Sequence, residues 1–531
     1  MSIHSIINTL VHSFFPPLIF TFLPTSSTYH HAIPQFHTQL PCTMEDFTQA
    51  VERSFSASLT RTALVDVAQK LKAQFRERVT ESAICMLPSY AHGLPSGDER
   101  GRCLALDVGG STLRVAKVQL VGRQYQDRAG RIERMLSFDI DYPVKTLEGT
   151  AFFDWMADRI AEMLALDGVE EGGGDATIPL AVAWSFPVQE TSSRDGAVLS
   201  MGKGFFASRG VMGQGLHELI GQACERRHLN VQVGAIVNDA LASLLAQAYV
   251  EDSPRLAILL GTGLNAAIQL PAEMFESEPQ ETRPRPKERR DRVTVNAELS
   301  MFGKDIFPTT RWDDDLNRGN DLPDYQPFEQ LVGGRYLGEI LRLVVVEAMH
   351  STDVFAGNDT EGIRRPYSLS TATMAVIESD TSSSLDMARA ALQHTYPDLR
   401  ISIKDLRFLQ QISNAISHRA AGYLAAGIHA LSRFTIEAES STSPSPPSPS
   451  SPTTSPPSRV QVSCTGSVIE KYPRLLQRSQ EYLDMLHDDP MADSSPRPSL
   501  SPPRLVLEVT AHSAIFGAAV AGGHVTNDTD L

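Results

Sequence analysis

The sequence predicts an α/β fold, and three observations carry the prediction. Short apolar runs recur along the chain with the length of strands, longer segments repeat apolar residues at helical spacing, and the two kinds alternate. From Phe47 to Val79, apolar Phe47, Val51 and Phe55 and then Val67, Leu71, Phe75 and Val79 recur every four residues, the pattern of helix with one buried stripe. Leu104–Leu106 and Leu113–Leu120 read as two strands joined by the turn Gly109-Gly110. Pro179–Trp184 and Val231–Val237 are further strands, and Arg255–Leu260 is another that runs into Gly261-Thr262-Gly263. Helices fall between and after them at Gly215–Arg227, Ala240–Tyr249, Leu337–Met349 and Leu406–Leu431. No internal repeat is visible.

A chain of 531 residues is too long for one hydrophobic core, so two packed domains are expected. With 42% apolar and 21% charged residues it has enough apolar surface to bury a large interior. Against 63 Asp and Glu it carries only 47 Lys and Arg, a net charge of −16 that argues against a general nucleic-acid binder. The five cysteines (Cys42, Cys85, Cys103, Cys224, Cys464) form no CxxC pair and have no histidine companions at zinc spacing, the usage of reduced thiols in a cytoplasmic protein. Before Glu45 there is no charged residue other than histidine. The apolar run Phe14–Leu23 is broken by Pro16 and Pro17 and is too short to cross a bilayer. Residues 1–44 are therefore expected to be a disordered extension or to precede the true start, with translation beginning at Met44, and no stable membrane insertion is expected. Residues 276–292, 436–458 and 487–503, rich in Pro, Ser or charge, are expected to be disordered surface insertions, as is the polar span 350–386.

Two glycine turns carry chemistry. Asp107-Val-Gly-Gly-Ser-Thr-Leu-Arg114 lies between two strands, where Gly109 and Gly110 let the backbone approach a phosphate and Ser111 and Thr112 can donate to its oxygens. Asp107 is placed to hold Mg2+ through water, and Arg114 to add positive charge. Gly261-Thr262-Gly263 ends a second apolar strand in the same way. Two such turns suggest a clamp on a polyphosphate, although neither matches the Walker or dinucleotide pattern.

Several runs in order make a resemblance specific: Met86-Leu-Pro-Ser-Tyr90, Leu104–Gly110, Ser185-Phe-Pro187, Gly202-Lys-Gly-Phe205, Asn238-Asp239, Gly261-Thr-Gly263 with Asn265, Asn296-Ala-Glu298, Phe328-Glu329, Tyr336–Arg342, Gly466-Ser-Val468 and Gly517-Ala-Ala519. Together they resemble the hexokinase family over about residues 45–523. The resemblance implies the two-domain actin-like ATPase fold with an interdomain cleft, a smaller domain over 45–252 and a larger one over 253–524. It implies a hexose and ATP, with Mg2+, as ligands. Asp239 would be the base that takes the proton of the sugar 6-hydroxyl, and Lys203 the cation beside sugar and transferring phosphoryl. Ser185, Gly202, Asn238, Asn265, Glu298 and Glu329 would hold the sugar. Gly466 and Ser467 would join the two glycine turns at the nucleotide. On sequence alone Asp239 could equally cap the helix that follows it.

The chain departs from the family in ways that bear on specificity. Met201-Gly202 stands for the usual Trp-Thr and Asn296-Ala-Glu-Leu-Ser300 for Asn-Thr-Glu-Trp-Gly, which predicts a wider sugar pocket. His512–Ile515 replaces Asp-Gly-Ser-Gly, and Thr465 an aspartate, near the nucleotide. The expected activity is ATP-dependent phosphorylation of a hexose of the glucose, fructose or mannose type. N-acetylglucosamine is the rival substrate, and a non-catalytic sugar sensor is the alternative from a different class. Another actin-like ATPase, such as a chaperone, would leave the sugar motifs unexplained.

Overall fold

The helical stripe that opens the chain is two helices in a computed structural model, Met44–Ser56 and Arg61–Glu81. The structure describes residues 42–82, 84–90, 94–123, 130–166, 177–199, 201, 205–207, 209–251, 256–275, 292–320, 322–356, 358, 361–442, 459–487 and 503–527. A threonine hydroxyl starts each helix: Thr43 accepts from the Asp46 N–H at 3.1 Å and Thr60 from the Ala63 N–H at 3.3 Å. Both helices bury their stripes on the long helix Ile403–Thr442, where Phe47 meets Phe408, Phe75 meets Phe434, and the Ser58 hydroxyl lies 2.8 Å from Tyr423 Oη.

Thirteen strands follow among the described residues. β1 (Leu87–Pro88), β2 (Gly101–Val108), β3 (Thr112–Leu120), β4 (Gly130–Asp139), β5 (Ile178–Trp184), β6 (Val188–Ser192), β7 (Asp195–Val198) and β8 (Val231–Asn238) precede β9 (Leu256–Leu260), β10 (Leu264–Pro271), β11 (Arg292–Asn296), β12 (Arg459–Thr465) and β13 (Arg504–Val509). One sheet runs β4-β3-β2-β5-β8 and the other β1-β11-β10-β9-β12-β13, while β6 and β7 form a separate hairpin. In each sheet an antiparallel meander of three strands is extended by two strands parallel to its first, so the two share one five-stranded topology, to which β1 adds a sixth strand antiparallel to β11 in the second sheet. The sequence shows no repeat because this order needs only matching runs of apolar residues, which unrelated side chains can provide.

Register fixes where a site can form. Val108 pairs with Trp184 and Trp184 with Asn238, so β2, β5 and β8 end together at one edge, where open α/β sheets bind ligands. Between the sheets lie the helices Asp239–Val250 and Ser513–Asn527, whose small residues Ala240, Ala242, Ala518 and Ala519 share a buried cluster with Ala105, Ala181, Ala257 and Ala267 from both sheets. The helices cross so closely that a Cβ on Gly517 would coincide with the Ala242 carbonyl.

The span 350–386 is not the disordered insertion its composition predicts. It holds the helix Thr371–Ser379 and runs into Asp386–Thr395, with Met374, Ile377, Ala388 and Leu392 buried. Few apolar residues suffice there because paired charges fill the rest: Arg342 meets Glu339 at 2.6 Å, and Arg478 meets Glu378 at 2.6 Å inside the helix packing. Residues 436–442 continue the long helix, where Glu437 pairs with Lys72 and, at 2.6 Å, with Arg76. Residues 1–41, 276–291, 443–458 and 488–502 lie outside the described residues. None of the five cysteines is in a disulfide. Among the described residues no helix is long and apolar enough to cross a membrane.

Candidate active site

Ser185 and Asp239 each stand one residue beyond a strand end, on β5 and β8, and the parallel register sets them side by side. The Ser185 hydroxyl donates to Asp239 Oδ2. Asn238 is the cap of the helix Asp239–Val250; its Oδ1 accepts the Ala240 N–H at 2.9 Å. Asp239 Oδ1 accepts the same N–H at 2.8 Å, so the aspartate is the first helical residue, not the cap, and is 7% exposed.

The second sheet supplies the facing half. On β10, Asn265 donates through Nδ2 to Asn296 Oδ1 at 3.0 Å and to Asn238 Oδ1 at 3.4 Å. Asn296, at the end of β11, donates to Glu298 Oε1 at 2.9 Å. Glu298 holds left-handed backbone at φ 48°, a conformation that costs a non-glycine residue about 1–3 kcal/mol and clusters at functional sites. Glu329 accepts the Leu264 N–H through Oε2 at 2.9 Å, and the same oxygen fills the space a Cβ would take on Gly263. Burial, reinforced by these carboxylates, pushes the phenols of Tyr325 and Tyr336 up. Asn238, Asn265, Glu298 and Glu329 are thus brought together with Ser185 and Asp239. Sequence reasoning left Asn296 out as a site residue, although it joins Asn265 to Glu298; its signal was its place two residues before Glu298 at a strand end.

Both glycine turns are real hairpins. Gly109 N–H donates to the Thr112 carbonyl at 3.0 Å and leaves Ser111 exposed at the tip. Behind that turn Arg114 meets Asp107 at 2.6 Å. Burial pushes the Asp107 carboxyl up and Arg114 opposes the shift; His512 and Glu470 also act on it, which puts the first turn beside the C-terminal half of the chain. In the second turn Gly261 N–H donates to the Gly263 carbonyl at 2.9 Å. Ser467 and Gly466 lie against Gly261, and Gly466, at φ 115°, would set a Cβ 2.5 Å from the Leu260 carbonyl oxygen. Of the departures near the nucleotide, Ser513 donates to Ser243 Oγ at 3.0 Å, and Ala514 and Ile515 are buried. That segment is spent on helix packing and leaves only His512 exposed.

Gly202 and Lys203 lie outside the described residues. Of the residues from which a wider pocket was expected, Met201, Leu299 and Ser300 are fully buried, and Gly202 is not among those described.

Family models described as hexokinase match residues 48–249 and 255–523. A hexokinase-1 of Nicotiana tabacum is 31% identical over 351 residues, spanning 65% of this chain and 68% of that protein. A hexokinase-1 of Schizosaccharomyces pombe is 26% identical over 456 residues, spanning 84% and 86%. Among solved structures, the hexokinase from Schistosoma mansoni complexed with glucose superposes with a TM-score of 0.74 at 24% identity, covering 91% of this chain and all of that one.

Proposed function

The chain belongs to the hexokinase family of ATP-dependent sugar kinases, and from that premise we propose that it transfers the γ-phosphoryl of ATP to the 6-hydroxyl of an unsubstituted hexose of the glucose, fructose or mannose type. The observation that carries this reading is the Asn238–Asn265–Asn296–Glu298 chain of hydrogen bonds, which joins both sheets beside Asp239.

Asn238, Asn265, Glu298 and Glu329 hold the sugar: the carboxylate oxygens accept from its hydroxyls, and the amides, whose oxygens already accept backbone N–H groups, donate to it through nitrogen. Asp239 takes the proton from the 6-hydroxyl as that oxygen bonds to the γ-phosphorus and the bond to the β-phosphate oxygen breaks, releasing ADP. Ser185, donating to the Asp239 carboxylate, orients it. Lys203 supplies a cation to the transferring phosphoryl. The turns at Gly109–Thr112 and Gly261–Gly263, with Gly466 and Ser467, hold the nucleotide's phosphates through backbone N–H and hydroxyl groups. Asp107, whose Oδ2 accepts from Arg114, would hold a Mg2+ ion through water at its other oxygen, since this ion commonly keeps several waters and binds one or two carboxylates and the nucleotide's phosphates. Bound there, it would neutralise phosphate charge. Closure of the cleft over the sugar would exclude water, the competing phosphoryl acceptor.

ADP release from Mg-ATP, measured with glucose, fructose, mannose and N-acetylglucosamine in turn, tests the reading. Turnover on one of the first three is expected. Turnover confined to N-acetylglucosamine would overturn the substrate assignment, and sugar binding without turnover on any would overturn the kinase in favour of a sensor.

A further inference from the structure

Three basic side chains converge on one surface pocket outside the site described above. His429 and Arg433, one turn apart on the helix Ile403–Thr442, share a face of that helix. The neighbouring helix Leu475–His487 brings its last residue, His487, to the same pocket, and Pro503, just before β13, lines it as well. Leu483 and Leu505, 2% and 8% exposed, give it an apolar, buried side. The two helices pack on each other and the second packs on β13, so three elements hold the lining in place. None of these residues belongs to the sugar or nucleotide positions named above.

Arg433 is half-buried, yet among the described residues it shares no ion pair, because the carboxylates on the same elements are committed elsewhere: Glu437 to Lys72 and Arg76, Glu439 to Arg292 and Asp484 to Arg504. The last pair is bidentate, with Arg504 donating to the two Asp484 oxygens at 2.9 and 2.8 Å. In a chain of net charge −16 a cation without a carboxylate stands out, and it creates a local field that draws anions. The apolar side of the pocket lowers the local dielectric and strengthens that attraction. A guanidinium offers a planar fork to two oxygens, and each imidazole adds an N–H from its own direction. Such a set suits a tetrahedral dianion better than a carboxylate, whose two oxygens the fork alone would satisfy.

We propose that the pocket at His429, Arg433 and His487 is a separate anion site that binds a phosphate monoester. It goes beyond the kinase reading and stands whether or not that reading does. Two sources supply this chemistry: a soluble phosphate ester, and a phosphoserine in the Ser/Pro-rich stretch 494–503, whose last residue, Pro503, lines the pocket.

The test titrates inorganic phosphate into the full, unmodified chain by calorimetry, with saturating Mg-ADP present to occupy the nucleotide site. Binding should weaken about tenfold or more in Arg433→Met, recover in part in Arg433→Lys and weaken about threefold in His487→Gln, the sizes expected for charge-assisted contacts. Mg-ADP affinity should stay within about twofold of the unaltered chain in all three, since none of these residues serves the reaction. Phosphate affinity within twofold of the unaltered chain in a normally melting Arg433→Met would overturn the proposal, and so would the absence of phosphate binding. A peptide of residues 494–503 phosphorylated at Ser501 separates the sources. Binding about tenfold tighter than that of inorganic phosphate, and lost in Arg433→Met, assigns the pocket to the chain's own phosphoserine; equal or weaker binding assigns it to a soluble ester.

Discussion

Gly263 has no side chain, and the Glu329 carboxylate uses the room this leaves to accept the Leu264 N–H. In Gly263→Ala the new methyl would press on the free end of a side chain, which can swing away, so the fold should hold while the carboxylate moves off the sugar. We expect the KM for the sugar to rise about tenfold, the loss of one charge-assisted hydrogen bond, with the melting temperature within about 2 °C of the unaltered protein. An unchanged sugar KM would mean that Glu329 serves only the β10 backbone. The positions of Glu298, Glu329 and Asp239 were legible because the hexokinase motifs set them in order along the chain. The attachment of Gly334 and Arg335 to the Gly261–Gly263 turn was not, since it consists of two backbone hydrogen bonds, each across 73 residues of sequence (334 − 261 and 335 − 262), that no local pattern encodes.

At the scale of elements, the contact that decides the site is the crossing of Asp239–Val250 with Ser513–Asn527. The first begins with the candidate base; the second packs over β2, β5 and β8, the strands whose ends carry Asp107, Ser185 and Asn238. A Cβ on Gly517 would meet the Ala242 carbonyl, a backbone atom that cannot rotate aside. Gly517→Ala should therefore cost about 2–3 kcal/mol, as overpacking does, and lower the melting temperature by at least about 4 °C in a circular dichroism melt. An unchanged melt would show that the helices can separate freely. Here the sequence was legible only in part. Gly517 was visible as part of a family motif next to the expected nucleotide segment His512–Ile515, and the helix itself was missed because Gly517, Gly522 and Gly523 lower its intrinsic propensity. Thr371–Ser379 was missed for a related reason: its buried face is only Met374 and Ile377, and its neighbours are anchored by Glu378 and Arg478, whose partners lie far along the chain.

Across the whole molecule, two sheets of one topology present their halves of a polar network to each other: Asn238 and Asp239 from one, Asn265, Asn296 and Glu298 from the other. The α/β class was legible from alternating apolar runs. The duplication was not, because topology constrains pairing order without constraining side chains. In the proposed mechanism the network leads to Asp239, the carboxylate that takes the proton of the sugar hydroxyl. Asn238 still caps the helix in Asp239→Ala, and the two glutamates still face the sugar, so binding should survive the loss of chemistry. The decisive measurement is ATP-dependent sugar phosphorylation by Asp239→Ala, with calorimetric sugar binding taken on the same sample. The account predicts turnover reduced by about 10²–10⁴-fold, as for loss of a general base, with sugar affinity within about fivefold, a shift of roughly 1 kcal/mol. Turnover within a few-fold of the unaltered chain would contradict it.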